Sequence, residues 1–227
     1  MKVEKEFSRF AHEYGQYNTV QDKVAQKLID DVEEKPQRML DLGCGNGSVA
    51  GKITWPFQKF IGVDFSQKML DLHPKNEKTE CRLGDFNEEG LFEELVKEEY
   101  DRVFSASSLQ WARDLDRTLY QISQLGAPIS LAIFTCNTFK TLLKTANIDS
   151  PLRCADEVSY LIGQYFHCDI EVVEYELAFE SVEDIFTYIK KSGVSGGRNL
   201  LGYKEMKRLM QNYPTKTLEF EVLFARN

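Results

Sequence analysis

The stretch "LDLGCGNG", Leu40–Gly47, places three glycines at alternate positions behind an apolar run that carries one acid. Arg38, Met39 and Leu40 lead into Asp41 and Leu42 as a buried strand, and Ser48 to Ile53 reads as the start of a helix. Glycine adopts positive φ without strain and lets a ligand come close to the backbone. A strand, a glycine-rich turn and a helix start together form a nucleotide-type binding crevice. The spacing is G-x-G-x-G, Gly43-Cys44-Gly45-Asn46-Gly47, and not the G-x-G-x-x-G of dinucleotide sites.

Outward from that turn, strands are expected at about 38–43, 59–64, 79–84, 100–106 and 128–136. Helices are expected between them near 48–54, 66–72, 88–98 and 113–124. Such alternation implies a parallel sheet covered on both faces. Before the turn, residues 19–34 put Val20, Val24, Leu28 and Val32 on one helical stripe. After it, 137–168 breaks into helical pieces around Pro151, and 169–179 returns to strand. The box Ser181-x-x-Asp184 opens a helix that Gly193 stops. Residues 217–227 alternate apolar and polar positions as a closing edge strand does.

The chain has 227 residues, suited to one domain, and 42% of them are hydrophobic. No apolar run is long enough to span a bilayer, and "MKVEKEFSRF" lacks the apolar stretch of a signal peptide, so a cytoplasmic protein is expected. Five scattered cysteines without a CxxC pair support neither a disulfide framework nor a zinc site. A net charge of −8 argues against nucleic-acid binding, which depends on neutralising phosphates.

Two acids support a ligand site. Asp64 closes "FIGVD", and its carboxylate suits two ribose hydroxyls. Asp85 in "RLGDF" suits an adenine amino group, with Phe86 flanking the ring. A plainer alternative makes Asp64 and Ser66 the cap of the helix that holds Met69 and Leu70.

Taken together, "MLDLGCGNG", the acid ending the second strand, "GDF" and "YDRVFSASSLQW" resemble class I S-adenosylmethionine-dependent methyltransferases. That resemblance implies a doubly wound, seven-stranded, mostly parallel α/β sheet with S-adenosyl-L-methionine as cofactor. It implies that Asp41 helps hold the amino group of the methionine part, and that Gly43, Cys44, Gly45 and Gly47 surround the cofactor. It further implies Asp64 on the ribose, Asp85 and Phe86 on the adenine, and Ser105 beside the methionine part, with Phe65 and Met69 completing the set. "FSRFAHEYGQYNTVQ" (7–21), "SLQW" (108–111) and 182–197 are similar to segments of the malonyl-[acyl-carrier protein] O-methyltransferases of biotin synthesis. Two departures stand out: "LGAPIS" replaces the usual "PGG" turn before the fifth strand, and Asn46 the commoner threonine.

The subfamily resemblance implies methylation of the free carboxylate of a malonyl thioester on acyl-carrier protein or coenzyme A. That carboxylate is already an ionised nucleophile, so no general base is needed, and His12, His73 and His167 are taken as structural. Residues 1–35 and the 137–168 insertion are expected to form a helical lid over the 36–136 core, with 169–227 completing a single domain. Tyr14 supplies a catalytic hydroxyl in this reading, while Tyr17, Gln21 and Trp111 contact the substrate. Lys204, Lys207 and Arg208, in a basic run over 190–208, face an acidic carrier. No metal, nucleic acid or membrane is expected, and the protein is read as a monomer. Two alternatives stay open: a methyltransferase for another small carboxylic acid or amine, and a non-catalytic cofactor sensor or scaffold.

Overall fold

The alternating segments build one sheet because each helix has an apolar stripe to hide and each strand two faces to cover. The computed structural model describes residues 18–191 and 203–227. Helix α1 spans Thr19–Asp30 and strand β1 Arg38–Leu42; β2 (Lys59–Asp64), α2 (Gln67–Leu72) and β3 (Thr79–Leu83) follow. Next come α3 (Glu89–Leu95), β4 (Arg102–Ala106), α4 (Leu115–Ser123) and β5 (Ile129–Phe134). The remainder holds α5 (Lys140–Ala146), α6 (Ala155–Gly163), β6 (Asp169–Ala178), α7 (Val182–Lys191), α8 (Tyr203–Asn212) and β7 (Thr217–Arg226).

The strands form a seven-stranded sheet in the order β3-β2-β1-β4-β5-β7-β6. Strands β1 to β5 pair in parallel, while β7 runs antiparallel to both β5 and β6. The order reverses between β1 and β4, the switch point where open α/β sheets leave a crevice at the carboxyl ends of the strands. Successive strand residues face opposite sides, so Leu40, Leu42, Ile61, Val63 and Val103 pack toward α3, α4 and α6. Met39, Phe60, Phe104 and Phe134 pack toward α1 and α7. Full burial of each such side chain stabilises the fold by about 1.5–3 kcal/mol.

Four expectations change. Residues 48–54 are a turn with a short 3-10 segment at Ala50–Lys52, because Gly47 and Gly51 weaken a helix and Pro56 ends it. The 217–227 strand is not an edge. Strand β7 is inserted between β5 and β6, and its residues from Leu218 to Ala225 are nearly all buried, whereas β6 forms the exposed edge. Residues 19–30 of the expected lid are a core helix, with Val20, Val24 and Ala25 at 0% exposure. From the other lid segment, Val158 and Ile162 of α6 enter the core, so this stretch is mainly the β5–β6 crossover.

A further difference concerns cysteine. Cys136 and Cys154 form a disulfide, 18 residues apart in sequence, because the chain leaving β5 returns to the start of α6 with their Cα atoms 4.6 Å apart. Scattered spacing in a sequence gives no sign of such a return. Ser181 and Asp184 do form the expected capping box, the Asp184 amide donating to Ser181 Oγ at 3.2 Å and the Ser181 amide to the Asp184 carboxylate at 3.1 Å.

Candidate active site

The glycine turn sits at the carboxyl end of β1. Gly43, Gly45 and Gly47 have φ of +75°, +54° and +88°, a region L-side chains rarely occupy. At Gly43 space is a second constraint, since a Cβ there would fall 2.3 Å from Ser108 Cβ. The Gly43 and Cys44 amides donate to the Val63 carbonyl at 2.8 and 3.0 Å, which ties the turn to the end of β2.

Two carboxylates flank this turn. Asp41 is 1% exposed, and neither of its oxygens has a hydrogen-bond partner among the described residues. Burial pushes its carboxyl up to about 8, and the Asp64 charge adds to the rise. Asp64 accepts from the Gly45 amide at 3.0 Å and the Ser66 amide at 2.8 Å. Burial raises its carboxyl to about 6 against the pull of those two amides. The Asp64–Ser66 bond also makes the plainer capping alternative partly true, so one carboxylate serves the turn and the start of α2. Burial, with the Asp41 and Asp64 charges, raises the Cys44 thiol well above its ordinary value and so disfavours the thiolate.

A cleft of about 660 Å³, counting its open mouth, joins these groups. Asp41, Gly43, Cys44 and Gly45 line its centre; Asp64, Phe65 and Met69 line the β2 side, and Phe86 adds a buried ring. On the β4 side, Ala106, Ser107, Ser108 and Trp111 line it, and Gln21 reaches in from α1. No histidine, lysine or arginine is among the described residues that line it.

The comparisons with known proteins agree with this geometry. Residues 40–128, from the middle of β1 to just before β5, match a family model described as a methyltransferase domain. That span is similar to a methyltransferase domain. The chain is 25% identical to the malonyl-[acyl-carrier protein] O-methyltransferase of Halalkalibacterium halodurans, over 85% of this chain and 82% of that protein. It is 27% identical to malonyl-[acyl-carrier protein] O-methyltransferase 1 of Ilyobacter polytropus, over 89% of this chain and 80% of the relative. A solved structure of a methyltransferase from Bacillus halodurans superposes with a TM-score of 0.64 at 12% identity, covering 90% of this chain and 98% of that one. This last likeness shows the fold.

Most of the residues expected at the cofactor converge on the cleft. Three do not line it. Asp85 accepts from the amide and side chain of Asn87 at 2.9 and 2.7 Å and lies 3.5 Å from Arg113. Ser105 is fully buried, its hydroxyl donating to the Leu42 carbonyl at 2.8 Å beside Ser108, so it braces β4 against β1. Gly47 shapes the turn from just beyond the cleft. His73 is buried against Phe60, with Nδ1 2.9 Å from the Pro74 carbonyl, and burial lowers its pKa, in keeping with a structural role. Tyr14 and Tyr17 lie outside the described residues.

Ser48, Val49, Ala106, Ser107 and Ser108 are not among the site residues expected from sequence, although they line the cleft, as does Asn46 of the glycine turn. Their signal was adjacency: strand β4 ends at Ala106, so the residues just past it turn into the crevice. Lys204, Lys207 and Arg208 lie exposed along α8, whose Leu209 is buried.

Proposed function

We propose that the chain is an S-adenosylmethionine-dependent methyltransferase that methylates the free carboxylate of a malonyl thioester carried on acyl-carrier protein. The observation that carries the cofactor assignment is Asp41. A carboxylate so buried and unpartnered is costly unless a cation completes it, and the amino group of a methionine moiety is such a cation. Asp64 keeps lone pairs beyond those its two amides use, which suits a ribose diol, and the Phe65, Met69 and Phe86 side chains suit an adenine ring. Gly43 lacks the Cβ that would collide with Ser108, so the turn and the segment after β4 close together on one side of the cleft. These residues fit the cofactor.

When bound, S-adenosylmethionine supplies an electrophilic methyl group. The residues of this chain have to align an oxygen nucleophile and exclude water, a proximity effect worth several kcal/mol. Among the described residues, the cleft lining holds Asp41, Asp64 and Cys44 as its titratable groups, and none suits a general base for the acceptor. A malonyl carboxylate needs none. The relatives' names support this acceptor, and the basic face of α8 supports an acidic carrier.

The test incubates the purified protein and S-adenosylmethionine with malonyl-carrier protein, malonyl-coenzyme A and free malonate. The expected result is a methyl ester on malonate, formed fastest on the carrier. Absence of methyl transfer to all three overturns the substrate assignment.

A further inference from the structure

We infer that Ser107 is the residue that holds the methyl acceptor, donating its hydroxyl to an oxygen of the reacting carboxylate. This rests on the proposed carboxylate-methylating activity. Ser107 lies one residue past β4, in the wall of the cleft, between Ala106 and Ser108 and near Trp111 and Gln21. Its φ is +61°, in the left-handed region. Around the neighbouring turn every residue with positive φ is a glycine, namely Gly43, Gly45 and Gly47. The matching turn after β4 carries a serine where glycine relieves the same strain. The other described non-glycine residues with positive φ, Phe139 and Asn147, flank α5 and do not line the cleft. Strain of this kind persists where the surroundings over-determine it, commonly at ligand-binding positions.

The surroundings of Ser107 do over-determine it. Its amide donates to the Ala132 carbonyl of β5 at 2.8 Å, and its carbonyl accepts from Gln110 Nε2 at 2.7 Å. Both backbone groups are held, which fixes the turn in the cleft wall, and the hydroxyl is buried with no partner among the described residues. By contrast, the Ser105 and Ser108 hydroxyls are both engaged on the Leu42 carbonyl at 2.8 Å. Ser107 is the serine left with its proton to offer.

Position and chemistry then assign the partner. The strand order places Asp64 at the β2 side of the cleft and Ser107 at the β4 side, with Asp41 between them. A nucleoside on Asp64 and an ammonium group on Asp41 leave the β4 side for the acceptor. Among the described residues, no lysine or arginine lines that side. A neutral donor orients a carboxylate while leaving it more nucleophilic than an ion pair with a cationic side chain does.

The test compares Ser107→Gly and Ser107→Ala with the unaltered protein. Both lose the hydroxyl, and only glycine relieves the backbone. Both should lower kcat/KM for malonyl-carrier protein about ten- to a hundredfold, with Kd for S-adenosylhomocysteine by calorimetry within twofold of the original. Thermal scans should show Tm raised by about 2–4 °C in Ser107→Gly alone. Unchanged kcat/KM in both variants, with the original protein active, overturns the role of Ser107. A tenfold loss of S-adenosylhomocysteine affinity in both overturns it too, since the hydroxyl then serves the cofactor. An original protein inactive on all malonyl substrates overturns the substrate assignment and takes this inference with it.

Discussion

Asp41 is where protonation and ligand binding meet. Its ordinary carboxyl value is 3.8 and its buried value about 8, so the fold holds a proton that the unfolded chain has lost between these limits. The resulting stability is fully present below the lower value and disappears as pH rises through the upper one. Asp64, raised to about 6, contributes in the same direction over a narrower window. An ammonium group placed beside Asp41 favours the ionised form, so cofactor binding at pH below about 8 should expel a proton. Calorimetric titrations with S-adenosylmethionine in two buffers of different ionisation enthalpy should therefore give different heats, and equal heats would remove Asp41 from that role. Asp41→Asn should raise Tm of the ligand-free protein on the alkaline side while weakening cofactor affinity about ten- to a hundredfold, since a charged hydrogen bond is worth about 1.5–3 kcal/mol.

The decisive element is the turn after β1, whose geometry depends on two neighbours at once. Val63 of β2 anchors it through two amides, and Ser108, just past β4, fills the space that Gly43 leaves open. Gly43→Ala combines a left-handed backbone with a Cβ placed 2.3 Å from Ser108 Cβ. A shift of the turn is required, which moves Asp41 and the Gly45 amide that holds Asp64. We expect a Tm lower by several degrees and loss of measurable S-adenosylhomocysteine binding by calorimetry. Gly90, with nothing within 4 Å of an added Cβ, serves as the control, and Gly90→Ala should bind normally. Equal binding by both variants would show that the turn adapts to a side chain.

On the scale of the molecule, a local basic cluster stands against an acidic whole. The chain carries a net charge of −8, yet α8 exposes Lys204, Lys207 and Arg208. Helix α5, packed against α8, adds exposed Lys140 and Lys144. Strand β7 begins where β5 ends and α8 leads into it, so these helices lie toward the crevice end of the sheet. Reversing Lys204, Lys207 and Arg208 to glutamate should raise KM for malonyl-carrier protein several-fold and that for malonyl-coenzyme A less. Added salt should act likewise on the original protein, because exposed charges are screened over about 8–10 Å at physiological ionic strength. An equal response of both substrates would confine the basic face to their shared phosphopantetheine arm, and no response would remove it from docking.

Local signals carried much of this far. The five parallel strands, the glycine turn, the acids Asp41 and Asp64 and the Ser181 box were legible because alternation, positive-φ glycines and caps act within a few residues. Burial of Asp41 was not, since it depends on β2 and β4 closing around β1 from both sides. The place of β7 inside the sheet was hidden because an alternating strand reads alike at an edge or between neighbours; only the packing of β5 against it decides. The Cys136–Cys154 bridge needed the path of the chain between β5 and α6. Ser105 and Ser107 differ by two positions in one serine-rich run, and their patterns look the same. The point where β4 ends leaves one bonded to Leu42 and the other in the wall of the cleft, and tertiary structure alone determines that point.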